Sequence, residues 1–428
     1  MGKEEKIHLK RELGYFWGTN FLIINVIGAG IFVSPKGVLE HSCMNVGISL
    51  CIWGACAVLA ITYTLCFAEI GITFPCSGAH YYFIKRCFGP VAAFLRLWTN
   101  LFTGAGIVAS QALLLAEYSI QPFYPSCSIP KLPMKCVALA MLWVVGILNC
   151  RGVKEVTWLQ TVSTVLKVSI LSLISLSGVV MLVRGKQVNV ERLQNAFDAE
   201  FPAASQIIEA VFQGYFAFSG GGCFTCVADA VAITWTDRVI PQLTWFIPFA
   251  ISASLFSNLL INVLQTSRVL YIAGQQGQLP LLFNTLNIHS SPLIAVLLNI
   301  TMGSIAIVIT NLIELINYLY FVISIWTVLS MIGLLKLRYQ EPNLHRPYQV
   351  FMPFIFITMA MTLSMVLIPL VKSPKMHYIY VLLFLLSGLL FYIPFTYLKL
   401  KLVCFEKMTC YLQLLLNICV PDKSDEQI

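Results

Sequence analysis

The chain has 428 residues, of which 27 are Lys or Arg and 19 Asp or Glu, so only 11% are charged while 58% are hydrophobic. An ordinary soluble domain carries about 25% charged residues; a fold of this size cannot clothe its surface with so few, so lipid must cover it. Long apolar runs argue against an outer-membrane barrel, an aromatic content of 12% excludes disordered and collagen-like classes, and the formal charge of +8 implies no nucleic acid, because most basic residues sit in short segments between hydrophobic ones.

In chain order, residues 1–14 form a polar tail with Lys3, Lys6, Lys10 and Arg11, residues 15–398 a membrane domain, and residues 399–428 a second tail. Met1 to Glu12 is polar and the apolar stretch after it is too long for a cleavable signal peptide. Windows of about 20 apolar residues predict helices at 15–39, 46–72, 91–121, 134–150, 156–183, 206–235, 241–273, 292–310, 312–337, 350–371 and 376–398.

The basic residues give the orientation. Lys85, Arg86 and Arg96 around the second loop, and Arg151 and Lys154 in the fourth, fit a cytoplasmic N-terminus. Eleven spans would then place Lys336, Arg338 and Arg346, and the tail with Lys399, Lys401 and Lys407, outside. One more span between about 230 and 290 would restore both to the inside, yet 228–241 is too short and polar to hide one and 241–273 has no internal turn. The expectation is a helix missing near 229–241, with a rearranged topology as the alternative.

Two predicted helices carry small-residue interruptions near mid-membrane: Gly28-Ala29-Gly30 in the first, with Pro35 beyond it, and Ser219-Gly220-Gly221-Gly222 in the sixth. Five helices apart, they fit the inverted repeat of a secondary transporter, whose broken helices turn free amides and carbonyls toward substrate. An amino acid's carboxylate suits the N–H end of one half-helix and its ammonium the carbonyl end of the other. Close helix packing is the alternative reading of the same glycines.

Lys167, deep in the fifth span, is costly in lipid and points to a proton relay, a replacement for a bound cation, or an anchor. Arg268 in the seventh span is read as a snorkelling or gating residue, and Glu69 and Arg96 as solvated or surface-paired near helix ends. Of the fourteen cysteines, Cys51, Cys56, Cys66, Cys136, Cys150, Cys223 and Cys226 lie in or beside apolar stretches as small hydrophobes. Cys223 and Cys226 have zinc-like spacing but no second ligand pair, so no metal or other cofactor is expected. Cys127 lies in a short loop predicted extracellular, where oxidation is permitted; it calls for a disulfide partner or is an unpaired surface thiol. No nucleophile–base pair is recognisable, so an enzyme is not expected.

On Gly28 to Pro35, Ala68-Glu69-Ile70-Gly71, Phe216-Ala217-Phe218, Ser267-Arg268, Gly277 to Pro280, Leu337-Arg338-Tyr339 and His345-Arg346-Pro347, the chain resembles the light-chain subunits of the heteromeric amino-acid transporters, in the amino acid, polyamine and organocation superfamily. The resemblance runs over nearly all of the sequence and implies an all-α, leucine-transporter-like inverted repeat of twelve helices, about eleven here. It implies sodium-independent exchange of amino acids at the plasma membrane, in epithelia at the apical face, with aspartate, glutamate and cystine as substrates.

It further implies a single-span glycoprotein heavy chain disulfide-linked at Cys127, backbone contacts to substrate from Gly28, Ala29, Gly30, Ser219 and Gly220, an aromatic gate at Phe216, and Lys167 where sodium-coupled relatives hold a cation. Ala29 stands where serine is frequent. Gly104 and Ile323 stand where the cystine/glutamate exchanger carries arginines, so Lys167 and Arg268 are the residues to test for the missing charge. Near Asp229 the sixth helix runs directly into the segment from Ala230, where relatives insert a basic loop and a seventh helix. A non-transporting splice or deletion variant that still associates with a heavy chain is the rival reading.

Overall fold

The computed structural model describes residues 30–74, 79–124, 130–184, 196–198, 200–218, 246–310, 312–372, 376–394, 403–416 and 418. Within them the chain forms α1 (Gly30–His41), α2 (Val46–Thr73), α3 (Ala79–Phe88), α4 (Pro90–Ile120), α5 (Lys131–Arg151), α6 (Val153–Val183) and α7 (Ala204–Phe218). These are followed by α8 (Phe246–Gln275), α9 (Leu293–Ile309), α10 (Leu312–Gln340), α11 (Met352–Lys372), α12 (Met376–Tyr392) and α13 (Val403–Leu416). Eleven of these overlap the eleven predicted windows; α3 and α13 are additional.

Among the described residues five helices are long and apolar enough to cross a membrane: Val46–Thr73, Pro90–Phe123, Lys131–Arg151, Glu155–Val183 and Tyr318–Gln340. Leu293–Ile309, Met352–Leu367 and Val381–Tyr392 are shorter apolar helices. Segment 241–273, read as one crossing, contains the single helix α8.

Local signals set the boundaries. The Asn45 side chain accepts from Ile48 N at 3.0 Å and starts α2. Pro90 opens α4 after Gly89 at φ 89°, where proline's missing N–H costs nothing. Gly152, at φ 125°, lets α5 turn directly into α6; a side chain there would be strained.

Helix α4 is the central pillar: α8 packs most extensively along it, and α5, α9, α10, α3 and α12 also lie against it. The largest core joins α4, α5, α6, α8, α9 and α10 through residues such as Leu113, Leu142, Leu259 and Ile300. A separate cluster, Val38, Ile52, Cys56, Ala210 and Tyr215, joins α1, α2 and α7, with Met361 and Met365 of α11 packed against it. The fold therefore contains a scaffold and a smaller bundle with its own apolar seam.

A third cluster gathers the ends of α2, α8 and α10 with α3, the start of α4 and Ile355 of α11. Here Arg86 of α3 meets Glu341 just after α10 at 2.6 Å, holding that exposed carboxyl below the usual carboxylate range, and Lys336 donates to Cys87 O at 2.7 Å. The ends of α2 and α10 thus lie on one face, which the positive-inside rule assigns to the cytoplasm. The end of α12 and helix α13 lie there too: Tyr392 meets Phe94 at the start of α4 in a tilted pair, with ring centroids 5.3 Å apart, and α13 touches Leu281–Phe283 beyond the inner end of α8. The placement of Lys336, Arg338 and Arg346 outside, which a simple count of eleven spans required, is corrected by these contacts.

The directions of the helices explain why. α1 runs outward and α2 inward, and α4, α5 and α6 alternate. α7 runs inward, antiparallel to α1, with Gln206 near its start reaching Cys43 and Glu209 reaching His41 at 3.3 Å. α8 also runs inward: Ser252 near its start meets Ser119 at the outer end of α4, while Gln276 just past its end donates to Tyr82 of α3. α9 runs outward, since Lys135 at the start of α5 donates to Val308 O at 2.8 Å, and α10 runs inward. Each of α1, α4, α5 and α6 is therefore matched by an oppositely directed helix, α7, α8, α9 and α10 respectively. Among the described helices α2 has no such counterpart.

Candidate functional site

The glycine segments flank the described ends of α1 and α7. Gly28, Ala29, Ser219, Gly220 and Cys127 lie outside the described residues, as do Cys223, Cys226 and the junction near Asp229. Gly30 is the first described residue of α1 and Phe216 lies in the last turn of α7. The two helices are brought together closely: a Cβ on Gly37 would fall 1.4 Å from Gln213 Oε1, and one on Gly214 2.8 Å from Cys56 Sγ of α2. A side chain at Gly37 would have to displace the Gln213 amide, and one at Gly214 would crowd the Cys56 thiol.

Lys167 lies midway along α6, 1% exposed, and donates to Asn258 Oδ1 at 2.8 Å. This excludes snorkelling and makes Lys167 a buried tie between α6 and α8. Asn258 heads a polar stripe that sequence reasoning missed. Asn262, one turn on, donates to Gln111 Oε1 of α4 at 3.0 Å, and Thr266, a further turn on, accepts from Asn299 Nδ2 of α9. The stripe links α8 to three neighbours through one face. Its signal was available, since residues four apart share a face and polar residues recur at that spacing through an apolar helix. Ser254 and Ser257, each 1% exposed, have hydroxyls without a hydrogen-bond partner among the described residues.

Arg268 lies about two turns from the inner end of α8. Its Nε is buried with no hydrogen-bond partner among the described residues. Above it, a Cβ on Gly104 would lie 2.7 Å from Thr266 Cγ2, so the α4–α8 contact leaves no room for an arginine of the kind the cystine/glutamate exchanger carries. Gly104→Arg is expected to force the helices apart, with an overpacking cost of about 1–3 kcal/mol. Thermal melting of the solubilised protein is the check, and an unchanged midpoint would contradict the contact.

Glu69 is not solvated. It is fully buried, accepts from Arg338 Nε at 3.1 Å and from Arg338 Nη2, and also accepts from Val350 N at 2.9 Å. The Ala68–Gly71 and Leu337–Tyr339 marks thus belong to one ion pair across α2 and α10. Arg96 also departs from the expected surface pairing. It is partly buried, with its guanidinium carbon 5.4 Å from the Trp326 ring centroid, and no carboxylate pairs with it among the described residues.

The sequence profile of the amino acid permease family matches residues 15–242 and 237–393. The chain belongs to the amino acid permease family. It is 69% identical to solute carrier family 7 member 13 of Mus musculus, over all of this chain and 99% of that relative. It is 62% identical to the Homo sapiens member 13, over the full length of both, and 28% identical to the Homo sapiens b(0,+)-type amino acid transporter 1, over 98% of this chain and 95% of that protein. These relatives bear out the resemblance to transporter light chains, and the chain is a multi-pass membrane transport protein, not an enzyme. The mouse alignment spans 472 positions while this chain contributes 428, so at least 44 positions of the alignment have no counterpart here. The family match is itself split around residues 237–242.

Proposed function

We propose that the chain mediates sodium-independent exchange of anionic amino acids, aspartate and glutamate, and of cystine across the plasma membrane, in epithelia at the apical face. It acts as the light chain of a heterodimer joined through Cys127 to a single-span glycoprotein heavy chain. Substrate lies between the α1/α2/α7 bundle and the scaffold, held by backbone groups at Gly28, Ala29, Gly30, Ser219 and Gly220 and closed over by Phe216, and rocking of the bundle alternates access. The Lys167 ammonium, fixed on Asn258, supplies between α6 and α8 the positive charge that a sodium ion supplies in coupled relatives.

The observation that carries the anionic preference is the pair Arg96 and Arg268. They lie in the inner halves of the most closely packed helices, α4 and α8. Neither has a carboxylate partner among the described residues. Unbalanced cations inside a membrane domain are costly and mark a path for anions.

The test is uptake of labelled aspartate, glutamate and cystine in cells co-expressing a heavy chain, normalised to surface protein. Uptake should persist when choline replaces sodium and should be competed by unlabelled aspartate. Cys127→Ser should abolish the heavy species on non-reducing gels. Uptake of neutral amino acids alone, or strict sodium dependence, would overturn the reading.

A second reading, a non-transporting variant that retains heavy-chain association, is favoured by the alignment positions this chain lacks. Correct surface assembly without uptake of any of the three substrates would select it.

A further inference from the structure

We infer that Arg96, Trp326 and Tyr63 form a second, inner anion site that receives the carboxylate of an acidic amino acid on its way between the central site and the cytoplasm. The inference rests on the anionic reading above and adds to it a place and a set of donors.

The site is built from three helices. Arg96 comes from α4, Trp326 from α10 and Tyr63 from α2. The guanidinium carbon lies 5.4 Å from the Trp326 ring centroid, a cation–π contact that orients the planar group. Trp326 is only 7% exposed, and its indole Nε1 has no hydrogen-bond partner among the described residues. A buried indole N–H is a donor and nothing else, and leaving one unsatisfied is costly. Arg96 and Trp326 thus bring two donors into neighbourhood, and no acceptor pairs with the indole N–H, nor a carboxylate with the guanidinium, among the described residues.

Among the described residues the remaining walls supply no free negative charge. Tyr63 lies within electrostatic reach of Arg96, and Thr327 donates to Ile323 O at 2.9 Å. His80 lies within electrostatic reach of Arg96, 3.3 Å from Ser330 Oγ. The acidic residue of α2 on this side, Glu69, is already engaged by Arg338 and Val350 N. Among the described residues no acceptor with negative charge meets Arg96, and a planar carboxylate matches the guanidinium fork.

Position decides its role. Leu97, next to Arg96, belongs to the inner cluster that also holds Ala273 at the end of α8 and Leu334 of α10. Arg268 lies higher on α8, nearer the level of Gly104 and Thr266. A substrate moving inward passes Arg268 and then Arg96. Two successive cations attract a solute of net negative charge and disfavour the ammonium of a neutral zwitterion, so the pair selects acidic amino acids along the inner path.

The test needs no transport. Inside-out membrane vesicles carrying the full chain and its heavy chain are treated with phenylglyoxal, and modification of Arg96 is read by peptide mass spectrometry with glutamate, aspartate, leucine or chloride present. In parallel, the rise in melting midpoint caused by glutamate is measured for wild type, R96Q, R96K and W326F. The expected result is protection of Arg96 by glutamate and aspartate, but not by leucine or by chloride at matched concentration.

The half-maximal glutamate concentration should rise about tenfold or more in R96Q, as for loss of a charged hydrogen bond. It should rise less in R96K, which keeps the charge, and in W326F, which removes the indole N–H and weakens the cation–π contact but leaves the guanidinium in place. If R96Q fails to fold, the labelling of wild type decides. Glutamate that stabilises the chain yet leaves Arg96 equally labelled overturns the inner site and leaves the anionic reading standing. Equal protection by chloride also overturns it. If no acidic amino acid stabilises the chain, the anionic reading fails and the inner site with it.

Discussion

Glu69→Ala is expected to lower stability by about 3–5 kcal/mol, the cost of stranding a buried charge, and to remove most folded protein from the membrane. The Arg338 guanidinium, 14% exposed, would lose two contacts to the carboxylate and keep only neutral acceptors, Val350 O at 2.7 Å and Met352 Sδ at 3.1 Å, while Val350 N would lose its acceptor. Arg338→Met is expected to be equally severe, because it leaves the fully buried carboxylate with a single backbone donor. The pair Glu69→Leu with Arg338→Met should recover much of the loss, since replacing a buried ion pair by apolar groups of similar volume is often close to neutral. Melting of the solubilised protein followed by size exclusion distinguishes these outcomes. If the double variant is as unstable as the sum of the singles, the ion pair is needed for more than its own neutralisation, and the Val350 N contact is the first place to look.

Composition was enough to read the membrane class and the eleven apolar windows, because the cost of unsatisfied backbone in lipid leaves helices as the answer for long apolar runs. It could not give the partners of ionisable residues. Glu69 and Arg338 lie near helix ends in the sequence and look solvated, yet they are buried against each other because α2 and α10 end at the same place. Arg96 looked like a boundary residue for the same reason, and only the packing of α10 beside α4 brings Trp326 to it. The Asn258, Asn262 and Thr266 stripe was legible in principle at four-residue spacing. Its meaning depended on which three helices surround it. The α13 helix within the C-terminal tail was not expected, since a short segment with Glu406 and Lys407 carries too weak a pattern to separate it from a polar tail.

Inserting the residues that relatives carry between the sixth helix and the segment from Ala230 is expected to raise surface-normalised aspartate uptake tenfold or more over the chain as it stands. That gain corresponds to about 1.36 kcal/mol off the rate-limiting barrier. α7 and α8 both run inward, and the alignment to relatives contains at least 44 positions that this chain lacks. α2, which packs on α7 and carries the Cys56 contact to Val211 O at 3.4 Å, lacks among the described helices the outward-running counterpart that an inverted repeat would set against α1. Without it the moving bundle is held by α2 and α11 on one side only, and rigid-body rocking loses the symmetry that makes the inward and outward states comparable in energy. A flexible glycine–serine insert of the same length restores the count of residues but not a helix, and should give no gain. Equal uptake by the native and extended chains would mean that α2 needs no counterpart and that the bundle rocks as it is.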